Sequence, residues 1–244
     1  THLGGTALSF STSELHLGDG EPVRDTALVL SRYVDGIVCR TFAHATLEEL
    51  ATHADVPVIN GLTDIHHPCQ ALADVLTIKE RFGELSDVRV AFLGDGNNNV
   101  CHSLIEICAA FGGSLIVGSP PGYEPAEAIR DGAAATAETT GAALEYVHDP
   151  RQAAAGADVL YTDVWTSMGK ETEAQERRAA FALFGVDDSL LAAASERAAI
   201  MHCLPARAGE EITDALLYSE RSAVWDQAEN RLHAQKALLS LTLR

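Results

Sequence analysis

The sequence predicts an α/β protein built from two doubly wound parallel-sheet domains that are joined by a long helix. Short apolar runs rich in β-branched residues, bounded by Gly, Pro or Asp, have the character of strands. Amphipathic stretches with apolar residues at helical spacing lie between these runs. Strands that alternate with helices form parallel sheets covered on both faces, so sheets of this kind are the expected core.

Each element can be placed on the chain from these patterns. The predicted strands are GIVCR (36–40), VPVIN (56–60), VRVAFLGD (88–95), SLIVGS (114–119), LEYVHD (144–149), DVLYTDVW (158–165) and AAIMHCL (198–204). The predicted helices are TLEELATHA (46–54), HPCQALADVLTIKERFG (67–83), VCHSLIEICAAFGG (100–113), ETEAQERRAAFALFG (171–185) and AENRLHAQKALLSLTLR (228–244). The small-residue stretch DGAAATAETTGAA (131–143) predicts a further helix that runs into a loop. Gly after the last turn of several of these stretches is a helix-stop signal.

The elements group into two units of unequal size. Residues 1–66 hold two or three strands and few helices, which bury little surface, so we expect an N-terminally incomplete first domain. The helix at 67–83 links it to a second domain at 84–222. The apolar positions of residues 223–244 fall at helical spacing, which predicts a C-terminal helix that packs back on the first domain.

Composition excludes several classes of protein. Hydrophobic residues make up 47% of the 244 residues, yet no run approaches the ~20 apolar residues that a membrane helix needs. The N-terminus lacks the layout of a signal peptide, so we expect a cytoplasmic protein that binds no membrane. The five cysteines are odd in number and scattered, which argues against a disulfide framework and a thiolate zinc site.

The charge is strongly acidic. A net charge of −18 argues against binding of nucleic acid through its phosphates. Lysine occurs only at Lys79, Lys170 and Lys236, so arginine supplies 14 of the 17 basic residues. This bias predicts a halophilic source, because molar salt shortens the Debye length to roughly 3 Å and screens the repulsion. An acidic surface on a protein from a low-salt cytoplasm is the alternative.

Polar side chains end four of the predicted strands. Arg40 closes the first, Asn98 follows the third, Asp163 interrupts the sixth, and His202 and Cys203 end the seventh. Ligands of open parallel sheets bind beyond the carboxyl ends of the strands, so this repeated placement predicts one pocket. Taken singly, each residue has a structural alternative, such as a surface ion pair for Arg40, a helix cap for Asp163 or a core position for Cys203.

The segment HHPCQ predicts a helix start that carries a site. Pro68 suits the first helical turn, which makes His67 the N-cap, and Gln70 follows three residues later. The imidazole and the amide can then converge on a small, planar, amide-like ligand near the positive end of the helix dipole. An ordinary capping histidine beside a solvated glutamine is the alternative.

The loops after the third and sixth strands favour an amino acid over a cofactor. GDGNNN lacks the GxGxxG spacing of a dinucleotide loop, and Ser119 stands where an acidic ribose ligand would be needed. Asn side chains and backbone N–H groups at a helix start suit a carboxylate, while Asp163 beside TSMG suits an ammonium group. No metal-site spacing is present. Cys203 as a covalent nucleophile, with His67 as its base, stays open.

Taken together, the motifs resemble a known family. The segments VRDTALVLSRYVDGIVCR, VPVINGLTDIHHPCQALADVLT, FLGDGNNNV, DVWTSMG, HCLP, GEEIT and AENR occur in the order and spacing of ornithine carbamoyltransferases. The SMG turn and HCLP favour ornithine over aspartate as the acceptor. The resemblance implies two doubly wound domains, one for carbamoyl phosphate and one for the amino acid, assembled as homotrimers or larger with shared active sites.

The resemblance also implies the roles of individual residues. The carbamoyl phosphate ligands would be Arg40, His67, Gln70 and Arg231, with His16 reaching the phosphate of a neighbouring subunit's substrate. The ornithine ligands would be Asn98, Asp163, Ser167 and Met168 for the α-amino and α-carboxylate groups, with Cys203 and the carbonyl of Leu204 orienting the δ-amine. The Leu204–Pro205 peptide bond is expected to be cis.

The implied reaction transfers the carbamoyl group to the δ-amine of L-ornithine and yields L-citrulline and phosphate, without a cofactor. It would serve arginine biosynthesis or the arginine deiminase pathway. The chain departs from the family twice: the Ser-Thr-Arg-Thr phosphate motif is expected ahead of Thr1, and Arg207 and Ala208 replace a His-Arg pair of many relatives. A silent ornithine-binding fragment, or a carbamoyltransferase for another amine, therefore remains an alternative.

Overall fold

The computed structural model describes residues 2–11, 20–166 and 171–243. Within them, two parallel sheets form. The first sheet pairs β1 (Ile37–Arg40) with β2 (Val58–Leu62) and is flanked by α1 (Val23–Leu30) and α2 (His44–His53). β2 begins at Val58, two residues later than predicted, because Pro57 has no N–H to give to the ladder.

The second sheet has five parallel strands in the order β5-β4-β3-β6-β7. Their bounds are β3 Arg89–Leu93, β4 Ser114–Gly118, β5 Ala143–Val147, β6 Val159–Thr162 and β7 Ala199–His202. From β3 the chain moves outward to β5, and then returns to the other side of β3 as β6. The winding therefore reverses between β3 and β6, which is where ligands bind in such sheets.

Helices cover both faces of the second sheet. They are α4 (Asn99–Ala110), α5 (Glu127–Thr140), α6 (Pro150–Ala154), α7 (Ala174–Phe181), α8 (Asp188–Leu191) and α9 (Asp214–Leu217). Val90 and Phe92 of β3 pack on the face that α4 and α5 cover, and Ala91 and Leu93 pack on the opposite face. The strands are apolar on both sides for this reason, as expected of a buried parallel sheet.

Two long helices connect the sheets. α3 (Pro68–Phe82) and α10 (Val224–Thr242) pack against each other and run antiparallel. Residues later in α3 contact residues earlier in α10. Gln70 bonds Arg231 and Asp74 bonds Gln227, for example. Among the described helices, none has the length and apolar content needed to cross a membrane.

The predicted strands all form, but β3 to β7 each end one to three residues earlier than predicted. β6 stops at Thr162 because the Asp163 side chain accepts the N–H of Val164 at 2.8 Å, which turns the chain. β7 stops at His202, before the cis peptide bond between Leu204 and Pro205. The predicted helix at 171–185 was too long at both ends: a 3₁₀ turn occupies Glu171–Glu173, and the α-helix ends at Phe181.

Candidate functional site

The loops that follow β3 and β6 meet at the reversal of the sheet. After β3 the chain turns at Gly94 and Gly96 into α4, whose N-cap is Asn98. A Cβ at Gly96 would lie 2.8 Å from the Tyr123 carbonyl oxygen, so a larger residue would displace this loop. Asp163 follows β6 directly. The fold thus brings two of the predicted site residues to one point.

Asn98, Asp163 and Cys203 form a hydrogen-bonded line across β3, β6 and β7. The Asn98 side-chain oxygen accepts the N–H of Cys101 at 2.8 Å, which caps α4, and its Nδ2 donates to Asp163 Oδ2 at 3.3 Å. On the other side of the carboxylate, Cys203 Sγ donates to Asp163 Oδ1 at 3.1 Å. The three side chains therefore present an amide, a carboxylate and a thiol along one edge.

Burial sets the protonation of these groups. It raises the pKa of Asp163, while His202 and the hydrogen bond from Cys203 lower it. Burial and the neighbouring Asp163 raise the pKa of Cys203 well above its usual value. The thiol therefore keeps its proton at neutral pH. The hypothesis that Cys203 is a nucleophile with His67 as its base is not supported, since the thiol donates to Asp163 instead.

His202 supports the loop that carries Cys203 and Leu204. Its Nδ1 accepts the N–H of Leu204 at 2.9 Å and its Nε2 donates to Glu211 Oε1 at 3.2 Å. Asp163, His202 and Cys203 offer atoms within 4.8 Å of one another, a spacing that a metal ion could bridge. Both ring nitrogens of His202 are already engaged, so the cluster presents hydrogen-bonding groups instead of a complete ligand set.

This loop also holds Arg207 and Ala208. The backbone N–H of Arg207 donates to Glu211 Oε1 at 2.5 Å, a bond that any residue other than proline makes. The Arg207 side chain is half exposed and lies 4.0 Å from Glu210. Leu204 has φ at 60°, and the Leu204–Pro205 bond is cis as predicted.

His67 begins α3 but does not cap it with its side chain. It occupies the N-cap position with Pro68 in the first turn, as predicted, yet its imidazole makes no capping bond. Instead its backbone N–H donates to Ser103 Oγ of α4 at 2.7 Å. The buried Nδ1 has no hydrogen-bond partner among the described residues. The ring is therefore available to a ligand.

His67 is uncharged at neutral pH. Burial, together with the charges of Arg231 and Arg40, lowers its pKa to about 4. These influences show that both guanidinium groups are close enough to act on the ring. Arg40 itself lies at the exposed end of β1.

Gln70 is buried between a cation and an anion. Only 2% of the residue is exposed, so the alternative of a solvated glutamine is wrong. Its Nε2 donates to Asp74 at 2.8 Å, and its Oε1 accepts from Arg231 Nη1 at 2.8 Å. Arg231 is further held by Gln235 at 3.1 Å. Gln70 and Arg231, which are 161 residues apart in the chain, thus meet in the structure as the predicted site requires.

Three of the predicted site residues, His16, Ser167 and Met168, lie outside the described residues. Four other residues that support the candidate site were missed. Asp74 was detectable from the sequence, since it stands four positions after Gln70 on the same helical face. Tyr161, Gln227 and Ser103 carry no local signal, because each acts through a partner distant in the chain.

Comparison with known proteins agrees with this geometry. Residues 1–80 match the carbamoyl-P binding domain of aspartate/ornithine carbamoyltransferases, and residues 86–242 match the Asp/Orn binding domain. The chain is 56% identical over 243 residues to the ornithine carbamoyltransferase of Acidothermus cellulolyticus and spans 78% of its length. It is 52% identical over 241 residues to that of Hyperthermus butylicus and spans 77% of it.

Solved structures give the same result. Ornithine carbamoyltransferase from Pyrococcus furiosus superposes with a TM-score of 0.95 at 52% identity, over 99% of this chain and 77% of that one. The Thermus thermophilus enzyme superposes with a TM-score of 0.88 at 45% identity, over 100% of this chain and 78% of that one. The chain belongs to the aspartate/ornithine carbamoyltransferase family.

Proposed function

We propose that the protein transfers the carbamoyl group of carbamoyl phosphate to the δ-amine of L-ornithine, giving L-citrulline and phosphate. The observation that carries this proposal is the adjacency of two polar clusters. His67, Gln70 and Arg231 form one, and the line from Asn98 through Asp163 to Cys203 forms the other. Tyr161 of β6, two residues before Asp163, bonds Asp74 beside Gln70 and so connects them.

The first cluster suits carbamoyl phosphate. Arg40 and Arg231 supply positive charge and donors for the phosphate and for the carbonyl oxygen, on which negative charge develops during the reaction. The neutral imidazole of His67 is buried, and its Nδ1 has no partner in the described part of the chain, so it can meet the carbamoyl group without adding a charge. Gln70 supplies the amide oxygen that the carbamoyl NH₂ needs as an acceptor.

The second cluster suits the amino acid. The Asp163 carboxylate would pair with the α-ammonium of ornithine, and Asn98 would bond its α-carboxylate at the start of α4. Ser167 and Met168 are assigned to the same end of the substrate by the family motif DVWTSMG. Cys203 and the Leu204 carbonyl would orient the δ-amine as hydrogen-bonding groups, since the thiol keeps its proton.

The chemical step follows from this arrangement. The δ-amine attacks as the free base, because an ammonium has no lone pair. A C–N bond forms at the carbamoyl carbon, and the bond from that carbon to the bridging phosphate oxygen breaks with its electron pair leaving on phosphate. The attacking nitrogen gives up one proton, which the departing phosphate can accept, as it becomes the ureido nitrogen of citrulline. Orientation and electrostatic stabilisation would supply most of the rate.

Assembly and setting complete the proposal. We propose a cytoplasmic homotrimer or larger assembly in which His16 reaches the site of a neighbouring subunit, acting in arginine metabolism. Light scattering coupled to size-exclusion chromatography tests the assembly: a monomer with full activity would contradict shared sites.

Citrulline formation from carbamoyl phosphate and ornithine tests the reaction. The assay uses this chain and the same chain preceded by the N-terminal segment of the Acidothermus relative, each in dilute buffer and in molar KCl. Activity that favours ornithine over lysine, putrescine and acetylornithine is the expected result. Ornithine binding without any activity in either form would instead favour a silent binding module, and a higher kcat/KM with another amine would assign a different acceptor.

A further inference from the structure

Asp74 is a fully buried carboxylate at the junction of α3, α10 and β6. It accepts hydrogen bonds from Gln70 Nε2 at 2.8 Å, from Gln227 Nε2 at 2.7 Å and from the Tyr161 hydroxyl at 3.1 Å. None of the ligand roles proposed above uses it. Burying a carboxylate is costly unless its acceptors are filled, so its position here calls for a reason.

The partners of Gln70 determine how its amide is turned. An ionised carboxylate can only accept hydrogen bonds, and a guanidinium can only donate them. Gln70 lies between Asp74 and Arg231, so its Nε2 must face the carboxylate and its Oε1 must face the guanidinium. Without Asp74, the amide would have no strong acceptor to hold its NH₂ group, and the direction of Oε1 would no longer be set.

The direction of Oε1 matters for the substrate. The carbamoyl NH₂ is a donor and needs an acceptor, whereas Arg40 and Arg231 offer donors alone. Gln70 Oε1 is the carbonyl acceptor of this cluster. We propose that Asp74 is a positioning residue for carbamoyl transfer, which holds the Gln70 amide with its oxygen turned toward Arg231 and the carbamoyl group. This inference rests on the proposed function, because that function assigns Gln70 and Arg231 to carbamoyl phosphate.

A second amide is held in the same way. Gln227 of α10 donates to Asp74 and to the Tyr161 hydroxyl at 3.0 Å, while its Oε1 accepts the backbone N–H of His202 at 2.9 Å. His202 directly precedes Cys203 in the second cluster. One carboxylate thus fixes the glutamine of the carbamoyl phosphate side and the helix that supports the end of β7.

The arrangement predicts a pH dependence. Burial raises the pKa of Asp74 to about 6, against the lowering influence of its three hydrogen bonds and Arg231. The other titratable groups near the carboxylate are Tyr161, Cys108 and Cys203, whose pKa values are all raised, and Arg231. The tyrosine and the two cysteines keep their protons through neutral pH. Asp74 alone among them changes charge near pH 6, and its protonation weakens the acceptor that holds Gln70.

Asp74→Asn tests the proposal with Thr77→Val as a matched control. Thr77 lies on α3 just after Asp74 and accepts from Asn230 of α10 at 3.0 Å, so it is a second buried link between the same helices. It contacts neither Gln70 nor Arg231 in the described contacts. At pH 7.5, we expect D74N to raise KM for carbamoyl phosphate on the order of tenfold, since a charge-assisted bond is replaced by a neutral one. T77V should leave that KM within about twofold of wild type.

The ratio of KM in D74N to KM in wild type should fall toward one as pH drops below 6, because the wild-type carboxyl group is then also neutral. Titration of the substrates themselves cancels in this ratio. Tyr161→Phe gives an independent measurement even if D74N does not fold. It removes one of the hydrogen bonds that lower the pKa of Asp74. The increase in the KM for carbamoyl phosphate on acidification should therefore begin at a higher pH than in wild type.

The experiment separates this inference from the function on which it rests. The assays use whichever form of the chain makes citrulline. If no form makes citrulline, the proposed function fails. If wild type is active but D74N and T77V change the KM for carbamoyl phosphate equally, Asp74 is only a structural residue and this inference is wrong. The inference is also wrong if the ratio of the two KM values does not vary with pH and Y161F does not shift the pH at which KM rises.

Discussion

Asp163 is held by hydrogen-bond donors on both of its oxygens. The Val164 N–H and Cys203 Sγ lie against Oδ1, and Asn98 Nδ2 lies against Oδ2. Pre-placed bonds of this kind lower the entropic cost of orienting the carboxylate when a ligand binds. An ammonium group that pairs with Asp163 would meet an acceptor whose geometry is already set.

Asp163→Asn should therefore raise KM for ornithine. Loss of a hydrogen bond to a charged partner corresponds to an increase of roughly 10- to 100-fold in the KM for ornithine. The KM for carbamoyl phosphate should change much less. Asp158 is the matched control, because it flanks the other end of β6 and bonds Arg197 at 2.8 Å. Steady-state kinetics of D163N and D158N make the comparison. Equal ornithine KM values in the two variants would contradict an ornithine role for Asp163.

His67 should make the protein less stable in acid. Its pKa is about 4 in the folded protein and 6.5 when exposed, so its contribution is fully present above pH 6.5 and is lost as pH falls toward 4. The loss amounts to about 3 kcal/mol at the acid end. Calorimetric Tm values of wild type and His67→Gln, taken from pH 7.5 to 4, measure this loss as the difference between the two proteins. The titration of Asp74 occurs in both proteins, so its contribution cancels in the difference.

His233→Gln is the control for this measurement, since it removes a histidine whose side chain is 48% exposed. Wild type should lose more Tm than H67Q over the acid range, and H233Q should follow wild type. Parallel curves for wild type and H67Q would show that the His67 ring is not held uncharged by burial.

The site residues that could be predicted from sequence share one property: their signal is local. His67 stands directly before Pro68, and Asp163 and Cys203 each follow an apolar run. Gln227 is 153 residues from Asp74, and Ser103 is 36 residues from His67. The sequence around each of these residues therefore contains no signal that predicts the contact. Such pairs become visible only when tertiary packing brings two helices together.

At the scale of elements, α4 fastens the start of α3. Its residues at helical spacings of three and four, Asn99, His102, Ser103 and Glu106, lie on one face. Asn99 donates to the Thr63 carbonyl at 2.6 Å, and His102 donates to the Ile65 carbonyl at 3.1 Å. Ser103 accepts the His67 N–H at 2.7 Å, and Glu106 bonds the His66 ring at 3.1 Å. The helix capped by Asn98 therefore also positions His67, which links the two polar clusters.

Ser103→Ala should expose this role of α4. It leaves the buried N–H of His67 without an acceptor, at a cost of about 1–3 kcal/mol, and loosens the first turn of α3. We expect a lower Tm and a rise in KM for carbamoyl phosphate of about threefold or more, because misplacement of a binding group is felt at the reacting centre.

Glu106→Gln is the control on the same helix face. Its bond to His66 is partly exposed, and the amide oxygen of glutamine can still accept it. Differential scanning calorimetry and steady-state kinetics of S103A and E106Q give both quantities. A KM for carbamoyl phosphate that is unchanged in S103A, despite a lower Tm, would mean that α4 supports α3 without positioning His67.

The elements themselves were predictable where the hydrophobic periodicity agrees with the Gly, Pro or Asp residues that bound a segment. The apolar strands and the Pro68 start of α3 satisfy both conditions. The end of β6 was placed too late because Val164 and Trp165 continue the apolar pattern, whereas the Asp163 side chain takes the next backbone N–H out of the ladder. A side chain that competes for the backbone shortens an element without altering its hydrophobic pattern.

At the scale of the molecule, α3 and α10 tie the two sheets into one site. Residues from α3 and α10 supply the cluster proposed to bind carbamoyl phosphate, and β6 and β7 end at the cluster proposed to bind ornithine. Asp74 and Gln227 join the two groups through Tyr161. The coupling was not apparent from the division of the sequence into domains, because the residues that carry it lie in the helices between them.

The acidic surface predicts a requirement for salt. With a net charge of −18, repulsion acts over a Debye length of about 10 Å at 0.1 M salt but only about 3 Å at 1 M. We expect the Tm to rise and the protein to become monodisperse as KCl increases from dilute buffer to 2 M. Sucrose at matched osmolality is the solvent control, because it favours compact states without screening charge.

A charge variant decides whether screening is the cause. Glu127, Asp131 and Glu138 are exposed on α5, and the first two face each other one turn apart. The triple variant E127Q/D131N/E138Q should be less salt-dependent than wild type, with a higher Tm in dilute buffer and a similar Tm in 2 M KCl. If wild type is folded and monodisperse in dilute buffer, with a Tm that KCl does not change, the acidic composition does not reflect adaptation to salt.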